Sequence, residues 1–312
     1  MTLHRFVVGI DISKHHLDVH DQRDGTTRRI ANAPDAAGAL AAALCGEDCL
    51  VVFEATGRYD AVLAQALAAA RVTHARVNPE QARHFARALG YKAKTDTIDA
   101  RMLAELGQRM PLRLHLPPTP ARAQLAALSG RRDQLVAIRK QERTRVGDQD
   151  DALLAATLEQ HLAWLDHTIA RLDRAIAEAI AADEALANTD ALLRSVPGVG
   201  PVTAAVLIAQ LPELGLRNPK TIAALAGLAP YNNDSGAFVG KRSVRGGRVR
   251  VRQALYMAAV SAARASSHIA RFHHRLRSAG KPPKLAYIAT ARKLLSVLNA
   301  ISRTQTPFLD TP

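Results

Sequence analysis

Four acids are the residues best suited to chemistry in this chain: Asp11, Glu54, Asp96 and Asp99. Asp96 and Asp99 lie in the stretch Tyr91–Leu106, which reads as a helix from Thr95 onward. Thr95 suits an N-cap, and Ile98, Met102, Leu103 and Leu106 recur at three- and four-residue spacing. Residues three apart share a side of a helix, so both carboxylates leave its first turn together. Acids also favour a helix N-terminus for dipole reasons alone, so the pair by itself is ambiguous. The chain before it adds two more. Asp11 ends the apolar strand that starts at Phe6, and Glu54 ends the apolar strand that starts at Leu50. In α/β sheets ligands gather outside the C-terminal strand ends. Four carboxylates converging from three segments repel one another unless cations sit among them. Hard oxygen donors suit Mg²⁺ or Mn²⁺, ions that also engage phosphate oxygens. Two such ions about 4 Å apart would polarise a phosphodiester and stabilise both its attacking and its leaving oxygen. Lys92 and Lys94 stand just upstream, where a phosphate backbone would lie.

Two further signals point to nucleic acid. Ser195-Val-Pro-Gly-Val-Gly-Pro201 reads as the turn of a helix-hairpin-helix, with Pro201 opening the second helix. Gly198 and Gly200 would let backbone N–H groups approach a phosphate, and the helix N-terminus behind them adds a favourable dipole. A glycine-bearing loop then runs from Gly227 to Arg248. Within it and just after lie Lys241, Arg242, Arg245, Arg248, Arg250 and Arg252, with no acid among them. Ser235 stands near the start of that loop, between Asp234 and Gly236. On spacing alone these three make a turn, in which Gly236 admits a close approach by substrate.

The elements that must position these residues follow from periodicity. Phe6–Asp11, Leu17–Asp21 and Thr26–Ile30 read as three strands, with Asp24-Gly25 as the hairpin signal. A helix over Asp35–Leu44, the strand Leu50–Glu54, a helix over Tyr59–Ala70, the strand Thr73–Val77 and a helix opened by Pro79 come next. That order gives a mixed sheet with helices on its faces, an α/β domain. Pro111, Pro117, Pro118 and Pro120 mark a linker. From Ala121 to Leu186 the chain is almost free of Gly and Pro. Leu162, Leu165, Ile169, Leu172, Ile176 and Ile180 form a coiled-coil seam, for which Leu125, Leu128, Leu135 and Ile138 supply a partner helix. The basic face from Arg131 to Arg145 is read as solvated. Helices over Thr221–Ala226, Gln253–Arg264 and Pro283–Ile301 complete the chain. The predicted division is 1–115, 116–186 and 187–312.

Composition narrows the classes. Of 42 Lys+Arg and 28 Asp+Glu in 312 residues, fifteen basic residues and a single acid, Asp310, fall in 235–312. The remainder balances at 27 of each sign, so the whole excess of +14 sits at the C-terminal end, as a polyanionic partner requires. The two cysteines, Cys45 and Cys49, are too few for a disulfide framework or a structural zinc site. A reduced, cytoplasmic setting follows, with action at the nucleoid. The N-terminus leads straight into a strand rather than a signal peptide, and no apolar run is long enough for a membrane span. Gly9-Ile-Asp11 followed by Ser13-Lys14 also opens sugar kinases and actin-like ATPases, but a second phosphate hairpin and an adenosine loop are missing.

Taken together, the motifs resemble transposases of the insertion sequence 110 family, the DEDD recombinases guided by a bridge RNA. The resemblance runs through Gly9-Ile-Asp11-Ile-Ser-Lys14, Glu54-Ala-Thr-Gly57, Asn78-Pro79, Lys94-Thr-Asp96-Thr-Ile-Asp99, Ser195–Gly200, Ala226–Pro230, Asp234-Ser-Gly236 and Arg252–Met257. It implies a RuvC-like, RNase H-type N-terminal domain whose DEDD residues are Asp11, Glu54, Asp96 and Asp99. A helical coiled-coil hairpin and a mainly α C-terminal transposase domain, with Ser235 as nucleophile, complete the implied architecture. It further implies donor and target DNA as substrates, a non-coding bridge RNA as guide, and a homo-oligomer, a dimer or tetramer. Two other readings stay open on the residues alone. A junction resolvase would use the same acids with metal-activated water, and a plain nucleic-acid binder would need neither the acids nor Ser235.

Overall fold

The computed structural model describes residues 6–57, 59–90, 96–115, 117–147, 150–231, 243–265 and 267–310, with the side chains of 96–98 outside that description. The chain divides into two compact units, Met1–Pro117 and Pro118–Pro312.

The first unit is built on a five-stranded sheet of order β3-β2-β1-β4-β5. Its strands are β1 (Phe6–Ile12), β2 (His16–Asp21), β3 (Thr27–Ala31), β4 (Cys49–Glu54) and β5 (His74–Val77). The first three pair antiparallel as hairpins, while β1, β4 and β5 are parallel neighbours. Parallel pairing needs a crossover. Helices α1 (Pro34–Ala43) and α2 (Ala61–Ala69) supply it. Alternation along β1 sends Phe6, Val8, Ile10 and Ile12 to one face, where they bury with Leu40 of α1 and Leu63 and Leu67 of α2. Val7 goes to the opposite face with Leu50 and Val52 of β4. There they bury against Leu103 and Leu106 of α4 (Asp96–Arg109) and Ala82 of α3 (Pro79–Ala88). Each fully buried Leu or Ile contributes about 1.5–3 kcal/mol. Asn78 starts α3, its side chain accepting from Glu80 N at 2.8 Å, with Pro79 in the first turn. This mixed α/β sheet fits the RuvC-like arrangement that the resemblance implies.

The second unit is almost wholly helical. Helices α5 (Pro120–Gly147) and α6 (Ala152–Ala181) run antiparallel, since Arg132 bonds Asp173 and Arg139 bonds Asp166 at 2.6 Å. Leu135, Leu165 and Ile169 bury between them. The salt bridges of Arg132, Arg139, Arg143 and Arg145 to acids on α5 and α6 account for most of the basic face. Leu125, Ile176 and Ile180 belong to the core of the remaining helices, so the base of the pair is packed into that core. The helical run expected to reach Leu186 breaks earlier. Asp183 accepts from Leu186 N at 3.0 Å and starts α7 (Glu184–Arg194), a side-chain cap winning over helix continuation. Then follow α8 (Pro201–Gln210), α9 (Pro219–Leu225), a two-stranded ribbon of β6 (Pro230–Tyr231) and β7 (Ser243–Val244), α10 (Val249–Ala262), α11 (His268–Ser278) and α12 (Pro283–Thr304). Neither α11 nor the ribbon is foreseen from the sequence. Ser267 caps α11 at Ala270 N, and His273 stacks on Tyr287 of α12 with ring centroids 4.6 Å apart. Among the described residues no helix is long and apolar enough to cross a membrane.

Candidate active site

Three of the four predicted acids have described side chains, and backbone geometry brings them to one end of the sheet. In the parallel β1–β4 register Ile10 pairs with Phe53, so the next step sets Asp11 beside Glu54. Alternation puts Asp11 on the face of Val7 and Gly9, and Glu54 on the face of Leu50 and Val52, the face that α4 covers. The direction of α4 is fixed by two glycines. A Cβ on Gly9 would meet Ala100 O at 2.0 Å and Ala104 N at 2.5 Å, while one on Gly107 would meet Val7 and Val52 side chains at 2.7 Å. The helix therefore runs antiparallel to β1 and β4, and its N-terminal turn overlies their C-terminal ends. Asp96 opens that helix and Asp99 immediately precedes the contact at Ala100. Asp11, Glu54 and Asp99 are each half-buried. The side chain of Asp96, and Lys92, Lys94 and Thr95 altogether, lie outside the described residues.

A carboxylate that sequence reasoning passed over stands next to these. Asp18 faces Asp11 across the β1–β2 pair and is buried. Arg29, its partner on β3, holds it bidentately at 2.9 Å through both Nε and Nη2. Its charge is thus matched inside the sheet. The signal was available in the alternation of Leu17-Asp18-Val19. On the same face, burial foremost and then the charge of Arg101 hold the His20 pKa below its ordinary value.

The loops that follow Asp11 and Glu54 are tied together. Asn32 Nδ2 donates to Ser13 O and to Tyr59 O, both at 2.9 Å, and Asn32 N donates to His15 O at 2.9 Å. Buried Asp60 accepts from Thr56 N at 3.2 Å and from Arg76 Nε at 2.6 Å. The loop after Glu54 is therefore braced from within.

Donor chemistry suits a hard divalent cation: oxygen ligands only, from separate segments, at strand ends. Among the described residues no three His, Cys, Asp or Glu side chains are grouped closely enough to hold a metal ion by themselves. Mg²⁺ keeps several waters and completes its shell with substrate phosphate, so it needs only one or two carboxylates from the protein.

In the second unit several of the predicted phosphate contacts also bond or pack within the domain. Gly198 has φ +89°, and a Cβ there would meet Ala258 O at 2.6 Å and Ala262 Cβ at 2.7 Å. It is a packing glycine against α10, whereas Gly200, the N-cap of α8, is open. Arg248 is held by Glu213 and by Gln210 O at 2.8 Å, and Arg250 by Asp133 at 2.6 Å. Arg252 donates to Gly246 O at 2.7 Å and Gly227 O at 3.3 Å. These three are staples of the domain, because a partly buried guanidinium needs acceptors that solvent does not supply. Arg245 differs: it lies over the Tyr231 ring, 5.4 Å from its centroid, on the ribbon. Ser235, Lys241 and Arg242 fall in 232–242, outside the described residues. The ribbon pairs Tyr231 with Ser243 and so brings the two ends of that segment together.

A mixed α/β sheet with an acid at the end of each of two central strands, and a separate helical unit with a basic C-terminal half, fit the plan of a DEDD-type DNA transposase. A family model named for DEDD transposases of insertion sequence 110 and described as Transposase matches residues 8–160. A second, described as Transposase IS116/IS110/IS902 family, matches 190–274. The chain is 32% identical over 263 residues to the pilin gene-inverting protein of Moraxella bovis, covering 83% of this chain and 81% of that one. It is 31% identical over 179 residues to the IS116 uncharacterized 44.8 kDa protein of Streptomyces clavuligerus, covering 56% of this chain and 44% of that one. The chain belongs to the IS110 family of transposases. Membership implies a divalent metal requirement.

Proposed function

We propose that this protein cuts and rejoins DNA by attack of Ser235 on a phosphodiester, at donor and target sites selected by an element-encoded bridge RNA. The observation that carries the metal-assisted part is the antiparallel seating of α4 on β1 and β4, with Gly9 against Ala100. That seating supports a carboxylate set made of Asp11, Glu54, Asp99 and Asp96. Mg²⁺, with Mn²⁺ as substitute, would supply Lewis-acid polarisation of the phosphate there. The carboxylates hold the ion and keep the sheet end polar. Ser235 Oγ forms a bond to phosphorus as a deoxyribose oxygen leaves with a proton. Bond energy is thereby kept in a phosphoserine link. A deoxyribose hydroxyl of the exchanged strand then displaces the serine, so no phosphodiester is lost to water. The acids and Ser235 come from different units of the chain. A dimer or tetramer follows from the need to cut several strands in one synapse. Work on DNA places the protein in the cytoplasm, at the nucleoid.

The test is Ser235→Ala. With guide RNA, Mg²⁺ and labelled DNA, the wild type is expected to give a protein–DNA adduct that maps by mass spectrometry to Ser235. The variant is expected to give neither adduct nor cut, since water in the vacated space is poorly aligned for attack. Nicked DNA with free ends and no adduct at any time would identify water as the nucleophile, as in a junction resolvase.

A further inference from the structure

Between the β6–β7 ribbon and the first turns of α12 lies a cleft of about 450 Å³, open to solvent. Leu228, Pro230 and Val244 form one wall, and Leu285 and Ile288 of α12 form the other. Lys284 and Arg292 stand at its edges, and no acid lines it among the described residues. The apolar walls are not fully covered: Leu285 is 51% exposed. We propose that this cleft is a nucleotide site for the DNA strand on which Ser235 acts, its walls taking one nucleobase drawn out of the stack and Lys284 and Arg292 holding the adjoining phosphates.

Three observations carry this, and it rests on the reading of Ser235 as nucleophile. First, both strands of the ribbon line the cleft, and the segment joining those strands contains Ser235. Whatever occupies the cleft therefore lies beside Pro230 and Ser243, on the two strands that flank residues 232–242 in sequence. Second, the cations are of the right kind. Arg248, Arg250 and Arg252 are satisfied by carboxylates and carbonyls of their own domain. Lys284 and Arg292 have no ion pair among the described residues, and Asp310, the sole acid after residue 234, is bonded to His268. A ligand with an apolar plate and negative charge beside it satisfies walls and edges together, and a nucleotide is such a ligand. Third, the walls are aliphatic. Bases removed from a duplex are stacked between apolar or aromatic side chains, and apolar wedges ease the unstacking. Opening the helix beside the scissile phosphate would also free the backbone to meet a nucleophile in line.

The experiment uses the full-length protein in EDTA, so no strand is cut, with fluorescence anisotropy on fluorescein-labelled oligomers. The probes are dT12, a 12-mer of abasic deoxyribose with the same phosphates, and rU12. The wild type is expected to bind dT12 about tenfold more tightly than the abasic oligomer, within the range of one stacked base. Ala289→Phe, which fills the cleft, is expected to bring that ratio close to one with abasic binding unchanged. Leu285→Ser, at an exposed helix position, is a second variant with the same expected sign should Ala289→Phe not fold. Lys284→Ala with Arg292→Ala is expected to weaken both oligomers alike and to flatten the salt slope by about 2. Cross-linking by 5-iododeoxyuridine in dT12 is expected at residues 228–231 or 284–292. A wild-type ratio near one, a ratio unmoved in the folded variants, or cross-links elsewhere overturns the site. Equal or tighter binding of rU12 overturns the assignment to DNA. Ser235→Ala must leave every ratio unchanged, so failure of the nucleophile reading and failure of the site are seen separately.

Discussion

Gly9→Ala is the sharpest perturbation available, because it adds one methyl where the sheet and α4 touch. The new Cβ would sit 2.0 Å from Ala100 O and 2.5 Å from Ala104 N, both backbone atoms that cannot rotate away. Ordinary contact begins near 3.4 Å, so α4 must retreat by about 1.4 Å or tilt by an equivalent amount. Overpacking of this sort costs about 1–3 kcal/mol. The larger effect falls on chemistry. Ala100 follows Asp99 directly, so the helix cannot move without moving Asp99 away from Asp11 and Glu54. A displacement of about 1 Å in a positioned group lowers rate by roughly a hundredfold. Two assays separate the effects: urea unfolding of the full chain, and single-turnover DNA cleavage in saturating Mg²⁺. Cleavage is expected to fall about a hundredfold with the protein still more than nine-tenths folded, as ~10 kcal/mol-class domains tolerate such a loss. Gly38→Ala is the control, since a Cβ there meets nothing within 4 Å and a helix gains about 0.5–1 kcal/mol from the exchange. Wild-type cleavage by Gly9→Ala, or a loss no greater than the unfolded fraction, would refute the claim that α4 sets the acid geometry.

Three further perturbations test other parts of the structure. Asp11→Asn, Glu54→Gln and Asp99→Asn are each expected to abolish cleavage while thermal unfolding shows the chain still folded; full activity in two of the three would sink the metal assignment. Arg248→Ala, which removes the bonds to Glu213 and Gln210 O, is expected to destabilise the second unit by about 1.5–3 kcal/mol without changing the salt slope of DNA binding, whereas Arg245→Ala should flatten that slope by about 1 with little change in stability. Denaturation and salt titrations check both. Burial first, then the charges of His274 and Arg277, hold the His273 pKa below its ordinary 6.5. The unfolded chain therefore takes up the proton first on acidification, and stability is intact above about pH 6.5 and falls below it. His273→Phe is expected to flatten that fall in pH-dependent unfolding, and an unchanged slope would count against it.

Sequence by itself determined the parts that local pattern fixes. The alternation of Phe6–Asp11 and Leu50–Glu54 gave buried strands ending in acids, and period two already committed Asp11 and Glu54 to particular faces. Pro79, Pro201 and Pro283 each open a helix at the place read from the chain, because a fixed φ and a missing N–H suit that position. The apolar repeat of α6 was legible too, in Leu165, Ile169, Ile176 and Ile180, all buried. What stayed hidden depended on contacts distant in sequence. Helix α11 is polar along most of its length and is held by His273 against Tyr287, which no local period announces. The ribbon of four residues exists through pairing across residues 232–242. The arginines after residue 244 looked alike as charges. Only the fold showed that Glu213, Asp133 and two backbone carbonyls occupy three of them, while Arg245 lies over Tyr231. Gly9 shows the same division. Its place in the strand is written in the chain, but its need to be glycine is set by the carbonyl of Ala100, ninety-one positions away, and a close approach of two backbones leaves no trace in either segment alone.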